Sequence, residues 1–271
     1  MILAIDVGNT ETVIGVFREL DAICCWRLAT DRRRTGDEHA LLLEGFLNRS
    51  LVPSEGPVRR AMICSVVPVM DRVWSHACGA LKLEVCRVDA GSELPIRLEV
   101  EDPPGVGADR IMNTLAAAEL YGRDTIVVDL GTATTFDCIS ADGAFLGGVI
   151  APGPRSGIEH LATVATHLPR VEIRAPRRVI GRRTVDCLDS GVFYSVVDAI
   201  DGIVARIAEE WGPRDPLVVA TGGLSERLGP HCRSVEKVDP LLTLKGLAAA
   251  ERHLFGAAGR PATEVLPEAS G

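Results

Sequence analysis

The chain has 271 residues, of which 46% are hydrophobic and 4% aromatic, and its formal net charge is −8. This length and composition predict a globular protein of one large or two ordinary domains, with the aliphatic core that suits buried parallel strands. A chain this acidic is poorly suited to general binding of nucleic acid or anionic membranes, so neither is expected as a partner. A small anionic substrate stays compatible with this charge, because a local arginine cluster can hold one.

The eight cysteines indicate packing rather than metal binding. None forms a Cys-x-x-Cys pair, and neither the cysteines nor the six histidines have the spacing of a zinc site. The first apolar run, Met1 to Ile5, has only strand length, and no apolar segment of about twenty residues follows. The sequence therefore predicts reduced thiols, no signal peptide or spanning helix, and a cytoplasmic location.

The first half of the chain alternates strand-like and helical patterns. The apolar runs Ile2 to Ile5 and Thr12 to Phe17 flank the polar turn Asp6 to Thr10, which predicts a hairpin. Apolar runs and helical spacing predict further strands over 22–28, 60–66 and 83–88, and helices over 38–51, 70–81 and 111–121.

The pattern then restarts. A buried-strand run, Thr125 to Val128, ends at Asp129-Leu130-Gly131-Thr132, and a strand and the hairpin turn Asp142-Gly143 follow. Asp129 lies about half the chain beyond Asp6, which favours an internal duplication over a chance repeat of a common Asp-Gly turn. The later segments are predicted as a helix over 185–208, a strand over 217–220, a helix over 241–255 and a disordered tail over 256–271.

The two Asp-containing loops indicate phosphate chemistry. A short glycine loop between strands lets backbone N–H groups approach phosphate oxygens, and threonine and asparagine side chains add donors. An aspartate at the strand end can hold Mg²⁺ directly or through water. Thr221-Gly222-Gly223, after a third strand, offers another close backbone approach, suited to adenosine. Together the loops predict a nucleotide between two halves, although each one alone is a weak signal.

This arrangement resembles the actin, sugar-kinase and acetate-kinase superfamily, and within it the type III pantothenate kinases. The motifs that carry the narrower resemblance are Asp6 to Thr10, Ser65 to Pro68, Gly107-Ala108-Asp109-Arg110, Asp129 to Asp137, Gly147 to Gly153, Gly181 to Thr184 and Thr221 to Gly223. The resemblance spans Met1 to about Leu254. It implies an α/β fold of two duplicated ribonuclease-H-like domains over 1–121 and 122–255, with mixed sheets flanked by helices and ATP in the cleft between them.

The resemblance also implies a reaction and a site. The reaction is transfer of the ATP γ-phosphoryl group to pantothenate, the first step of coenzyme A biosynthesis, with Asp109 as general base. The implied pantothenate-binding residues are Gly107, Ala108, Asp109, Arg110 and Thr184. The implied ATP-binding residues are Asp6, Val7, Gly8, Asn9, Thr10, Glu11, Thr12, Val13 and Thr132. Asp129 is the implied ligand of a monovalent cation, K⁺ or alternatively NH₄⁺, besides the Mg²⁺ that accompanies ATP, and the family implies a homodimer.

Several alternatives stay open at this stage. Asp109 and Arg110 could be a helix-terminal aspartate and a surface arginine without a catalytic role. Glu11 is unusual for the family, because a carboxylate beside a triphosphate is unfavourable unless it points away or binds a cation. The acceptor could be another hydroxyl compound such as a sugar, or the chain could be a non-catalytic nucleotide-binding regulator. The arginine-rich stretch 170–183 is most simply a solvated surface.

Overall fold

A computed structural model of the chain describes residues 1–50, 56–158 and 171–256. The first half is a five-stranded mixed sheet of order β3-β2-β1-β4-β5. Its strands are β1 (Ile2–Val7), β2 (Glu11–Arg18), β3 (Asp21–Ala29), β4 (Arg60–Ser65) and β5 (Glu84–Arg87). Helices α1 (Gly36–Ser50) and α2 (Pro68–Ala80) cover one face, where Leu43 and Trp74 pack on the apolar side chains of β1.

The second sheet repeats this arrangement and has the order β11-β10-β7-β8-β9-β6. Its strands are β6 (Arg97–Leu98), β7 (Thr125–Leu130), β8 (Ala133–Ile139), β9 (Ala144–Pro152), β10 (Leu217–Thr221) and β11 (Lys237–Val238). In both sheets the central strand pairs antiparallel with the strand that follows it and parallel with a later one. Helix α4 (Thr184–Trp211) covers one face through Val192, Phe193 and Val197.

Helix α3 (Ala108–Tyr121) lies between the two sheets. Its residues Ile111 and Leu115 pack in the core of the first sheet, whereas Ala116 and Ala117 pack against the second. Small side chains on one side of the helix let the second sheet approach closely. The start of α3 is therefore fixed at the junction of the two halves.

The last helix, α6 (Leu242–Phe255), lies beside α3 and follows the short helix α5 (Ser225–Leu228). A Cβ atom built on Gly246 would lie 2.1 Å from the carbonyl oxygen of Met112, so only glycine permits this contact between the helices. Leu244 packs in the core of the first sheet, although α6 follows all the strands of the second. The C-terminal helix thus ties the two halves together.

The structure confirms the predicted α/β class with two duplicated mixed sheets flanked by helices. Helix α3 begins at Ala108 instead of Ile111, because Gly107 acts as its N-cap, and α4 continues to Trp211. The two-residue strands β6 and β11 are too short to show a period in the sequence. Strand β6 lies before Gly122 and pairs with β9 of the second sheet.

Within the described residues, no helix is both long and apolar enough to span a membrane. The tail predicted over 256–271 lies outside the described residues apart from Gly256.

Candidate active site

The loop after β1 is a tight turn held by backbone and side-chain hydrogen bonds. Asp6 is the penultimate residue of β1, at the carboxyl end of a central strand. The N–H group of Gly8 donates to the carbonyl oxygen of Glu11 at 3.1 Å, and the Thr30 hydroxyl donates to the carbonyl oxygen of Gly8 at 2.8 Å. These bonds fix the turn that carries the predicted phosphate-binding residues.

The loop after β7 repeats this placement with Asp129. Asp129 is the penultimate residue of β7 and pairs in register with Thr221 at the end of β10. Gly222 follows with a φ of 87°, and a Cβ atom there would lie 2.3 Å from Oδ1 of Asp129. Glycine is therefore required for the Thr221-Gly222-Gly223 turn to approach the Asp129 carboxyl group this closely.

The two loops meet at a direct contact between the halves. The Thr132 hydroxyl donates to the Thr10 hydroxyl at 2.9 Å, and both residues are exposed. The first threonine follows β7 and the second follows β1, so the predicted nucleotide loops lie side by side at one cleft.

The segment from Gly107 to Arg110 forms the start of α3. Asp109 is in the first turn, where the backbone N–H of Arg110 donates to its Oδ1 at 2.8 Å. The negative charge of Asp109 is among the causes that raise the pKa of both Asp6 and Asp129. The Asp109 carboxyl group therefore lies within electrostatic reach of both loops.

The Arg110 side chain is directed inward and is only 15% exposed. Its Nε donates to Oδ1 of Asp137 at 2.6 Å, and its guanidinium carbon lies 5.0 Å from the ring centroid of Phe145. Asp137 is on β8 and is completely buried. The alternative of a surface arginine at a helix terminus is therefore wrong for Arg110.

Four carboxyl groups, those of Asp6, Asp109, Asp129 and Asp137, share this region. Desolvation, followed by repulsion from Asp109 and Asp129, raises the pKa of Asp6 to about 8. Desolvation, followed by repulsion from Asp109 and Asp137, raises the pKa of Asp129 to about 7. Desolvation also raises the pKa of Asp109 and, against the opposing effect of Arg110, raises that of Asp137 to about 6. Crowded, partly dehydrated carboxylates of this kind fit a bound cation.

Carboxylate oxygens are suitable ligands for the predicted Mg²⁺ and monovalent cations. Within the described ranges, no group of three or more His, Cys, Asp or Glu side chains is arranged to hold a metal ion. Asp6 and Asp129 fit a cation through their electrostatics, since a positive charge between the loops would offset the desolvation and the repulsion that raise their pKa values.

A family model described as type III pantothenate kinase matches residues 2–206. The chain belongs to the type III pantothenate kinase family. A relative from Moorella thermoacetica, named type III pantothenate kinase, is 42% identical over 252 residues and covers 91% of this chain and 97% of its own length.

Two solved structures support the fold of this family member. The ethanolamine utilization protein EutJ from Carboxydothermus hydrogenoformans has a TM-score of 0.55 at 15% identity, covering 91% of this chain and 88% of its own. A ROK hexokinase from Thermus thermophilus has a TM-score of 0.50 at 14% identity, covering 92% of this chain and 97% of its own. At these identities the likeness concerns the fold alone.

The structure also reveals supporting residues that the sequence analysis did not assign. The side-chain amide of Asn113 donates to Oδ2 of Asp129 at 3.4 Å, and the Thr243 hydroxyl donates to Oδ1 of Asn113 at 2.9 Å. The Cys64 thiol donates to Oδ1 of Asp6 at 3.4 Å. Asn113 follows Arg110 by three positions on one helix, so helical spacing was a usable signal for it.

Thr184 is the predicted site residue that helix α4 contributes. It is exposed at the start of α4, and among the described residues no hydrogen bond or ion pair connects it to the segment Gly107 to Arg110. Its neighbour Arg183 forms an ion pair with Asp186 at 2.8 Å. Within one copy, hydrogen bonds and electrostatics thus connect the two loops and the start of α3, whereas no hydrogen bond or ion pair of the described residues connects Thr184 to them.

Proposed function

We propose that this chain transfers the γ-phosphoryl group of ATP to the primary hydroxyl of pantothenate, the first step of coenzyme A biosynthesis. The observation that carries the proposal is the position of Asp109 in a chain of this family. Its carboxyl group is fixed by the Arg110 N–H and lies within electrostatic reach of both aspartate loops. A base is thereby available beside a site suited to a nucleotide and its cations.

Asp109 serves as the general base in the proposed step. The hydroxyl oxygen of the acceptor forms a bond to the γ-phosphorus as the bond from that phosphorus to the bridging oxygen of ADP breaks. The hydroxyl proton passes to a carboxylate oxygen of Asp109. Desolvation raises the pKa of Asp109, which makes its ionised form a stronger base than a solvated aspartate.

The two loops bind the phosphates of ATP in this proposal. The segment Asp6 to Val13 supplies the first loop and Thr132 the second, and the contact between Thr10 and Thr132 places hydroxyl donors from both halves together. Phosphoryl transfer depends mainly on such positioning and on neutralising charge. The turn at Gly222 suits the adenosine part, because its backbone approaches the cleft without a side chain.

Two cations complete the proposed site. Mg²⁺ bound at Asp6 and a monovalent cation, K⁺ or NH₄⁺, bound at Asp129 would supply neutralisation of the phosphate charge. Both carboxyl groups have raised pKa values that a cation would lower again.

The acceptor binds at the start of α3 in the proposal. The guanidinium group of Arg110 offers donors to it and is oriented by Asp137. The family resemblance implies a homodimer, and because no hydrogen bond or ion pair of the described residues connects Thr184 to the start of α3 within one copy, we assign its contact with pantothenate to a pocket that a second copy completes. The proposed location of this metabolic enzyme is the cytoplasm.

The decisive experiment is ADP release from ATP with pantothenate, compared with a panel of sugars, in K⁺ and then in Na⁺. We expect turnover with pantothenate and faster turnover in K⁺. ADP release with a sugar but not with pantothenate would replace the acceptor assignment. If none of the tested acceptors supported ADP release, the result would favour a non-catalytic regulator.

The base assignment is tested separately with Asp109→Asn. Loss of a general base should lower kcat by about 100-fold or more. The matched control is Asp215→Asn, at a fully exposed position outside the site. Equal turnover in Asp109→Asn and the wild type would leave the kinase assignment standing and refute the base.

A further inference from the structure

Arg27 on β3 is a cationic residue beside the predicted nucleotide loops, and the reaction proposed for this chain does not use it. Its Nη1 donates to Oε2 of Glu11 at 2.6 Å. Glu11 pairs with Ala29 across the β2–β3 ladder, so Arg27 is its diagonal neighbour on the same face of the sheet. The ion pair follows from strand register and brings a guanidinium group to the residue directly after Thr10.

The Arg27–Glu11 pair lies where the two halves meet. A Cβ atom built on Gly223, in the turn after β10, would lie 3.3 Å from Nη1 of Arg27 and 3.4 Å from Oε2 of Glu11. The positive charge of Arg27 is also among the influences that lower the pKa of Asp6 and of Asp129. One guanidinium group is thus close to the first loop, the second loop and the Gly222-Gly223 turn.

The cleft around Arg27 carries an excess of negative charge. Asp6, Asp109 and Asp129 are already crowded there, and a nucleoside triphosphate adds further negative charge. The guanidinium group of Arg110 is held by Asp137 and is mostly buried. Arg27 is 38% exposed and Glu11 is 42% exposed, so Arg27 can exchange partners with little loss of packing.

We propose that Arg27 is a phosphate-binding residue for the nucleotide, and that Glu11 occupies its guanidinium group until the nucleotide replaces it. The carboxylate of Glu11 is chemically similar to the phosphate oxygen that takes its place, since both accept the guanidinium fork. This inference rests on the proposed function only in assuming that a nucleotide occupies the cleft. It also explains how a carboxylate is tolerated beside the phosphate loop while the nucleotide is absent.

A phosphate-binding role for Arg27 and a purely structural ion pair predict different results when Arg27 and Glu11 are substituted. If the pair merely stabilises the β2–β3 hairpin, Arg27→Gln and Glu11→Gln should weaken nucleotide binding equally, and the double variant should be no weaker than either. If Arg27 binds phosphate and Glu11 competes for it, the two substitutions should act in opposite directions.

The experiment is calorimetric titration of each variant with a non-hydrolysable ATP analogue and Mg²⁺, without acceptor. Arg27→Gln should raise Kd by about 10- to 100-fold, as expected for the loss of a charge-assisted hydrogen bond. Arg27→Lys should recover part of that loss, because lysine retains the charge but not the fork. Glu11→Gln should lower Kd, and the wild type should show a steeper salt dependence than Arg27→Gln.

The matched control is Arg123→Gln, which removes an exposed ion pair with Asp215 just before β7, at the opposite end of that strand from Asp129. It should leave Kd unchanged. Unchanged binding in Arg27→Gln, or equal weakening in Arg27→Gln and Glu11→Gln with retained thermal stability, would overturn the inference. Because no acceptor is present, failure of pantothenate turnover in the wild type would refute the proposed function without affecting this result.

Discussion

The two halves of the molecule share one scaffold and differ in what surrounds the aspartate at its centre. β1 and β7 are both six residues long, have the same pattern of burial, and carry Asp6 or Asp129 as the penultimate residue. Around Asp6 the neighbours are the Cys64 thiol and Arg27, a residue of the same half whose positive charge also lowers the pKa of Asp129. Around Asp129 they are the Asn113 amide and the glycine of the β10 turn.

This difference indicates how a duplicated fold acquires two functions. The repeated strand order places a carboxyl group at the same point of each sheet. The side chains contributed by β3, β4 and α3 then distinguish them. The half with Arg27 and Asp6 is suited to phosphate and its Mg²⁺, and the half with a neutral amide donor and an open glycine turn is suited to a monovalent cation. The predictions below test this division.

The largest effects are expected from removing each aspartate charge. Asp6→Asn and Asp129→Asn should each lower kcat/KM by about 100-fold, because the charge that holds a cation at the phosphates is lost. Only Asp129→Asn should abolish the difference between K⁺ and Na⁺. Steady-state kinetics in both salts measures this, and loss of K⁺ dependence in Asp6→Asn instead would reverse the assignment of the halves.

Asp137→Asn should give the next largest effect, through Arg110. The substitution leaves a mostly buried guanidinium group without its ionic partner, which should destabilise the protein by about 3 kcal/mol. KM for pantothenate should rise by about tenfold, as for a lost charge-assisted hydrogen bond, while the Kd for nucleotide changes little. Urea unfolding and acceptor titration measure the two effects, with Asp142→Asn, at an exposed ion pair with Arg97, as control. Equal effects on acceptor and nucleotide would contradict a positioning role.

The stability of the ligand-free protein should depend on pH through Asp6 and Asp129. Both folded-state pKa values are raised above 3.8, to about 8 and about 7, so the ligand-free folded state binds more protons than the unfolded state. Their contribution to the free energy of unfolding is therefore most favourable below about pH 4 and decreases as the pH rises to about 8.

Asp6→Asn and Asp129→Asn should each make this decrease smaller, because each substitution removes one carboxyl group whose pKa is raised mainly by desolvation. Urea unfolding from pH 5 to pH 9 with a chelator present measures the difference. A decrease of the same size in the wild type and in both variants would contradict the raised pKa values of Asp6 and Asp129.

Much of the scaffold could be predicted from the sequence, because it depends on local patterns. The two Asp loops, the hairpins and the start of α3 carry turn residues and periodic apolar runs that a single segment displays. The sequence predicts a helix beside Asp109, but the observed helix begins three residues before the predicted start, at Ala108 after the cap residue Gly107. Arg27 is on a predicted strand, but the register between β2 and β3 that makes it the diagonal neighbour of Glu11 is given only by the structure.

The contacts that distinguish the two halves could not be predicted in the same way. Arg110 meets Asp137 across 27 residues, and Thr243 meets Asn113 across 130 residues. Such pairs depend on how α3 and α6 pack between the sheets, and no local period encodes that packing. The polar neighbours of each aspartate are therefore a property of the tertiary structure.

The smallest effect is predicted for the hydrogen bond between Thr243 and Asn113, which acts on Asp129 only through Asn113. Thr243→Val removes the hydroxyl that donates to Oδ1 of Asn113, and Asn113 in turn donates to Asp129. We expect the free energy of unfolding to fall by about 1 kcal/mol, because a hydrogen bond is lost. The K⁺ concentration for half-activation should rise about two- to threefold, since the Asn113 amide is held less firmly. Thr243→Ser, which keeps the hydroxyl, should behave as wild type. A change in nucleotide Kd without any change in K⁺ activation would mean that the packing of α6, rather than the chain from Thr243 to Asp129, governs this half of the site.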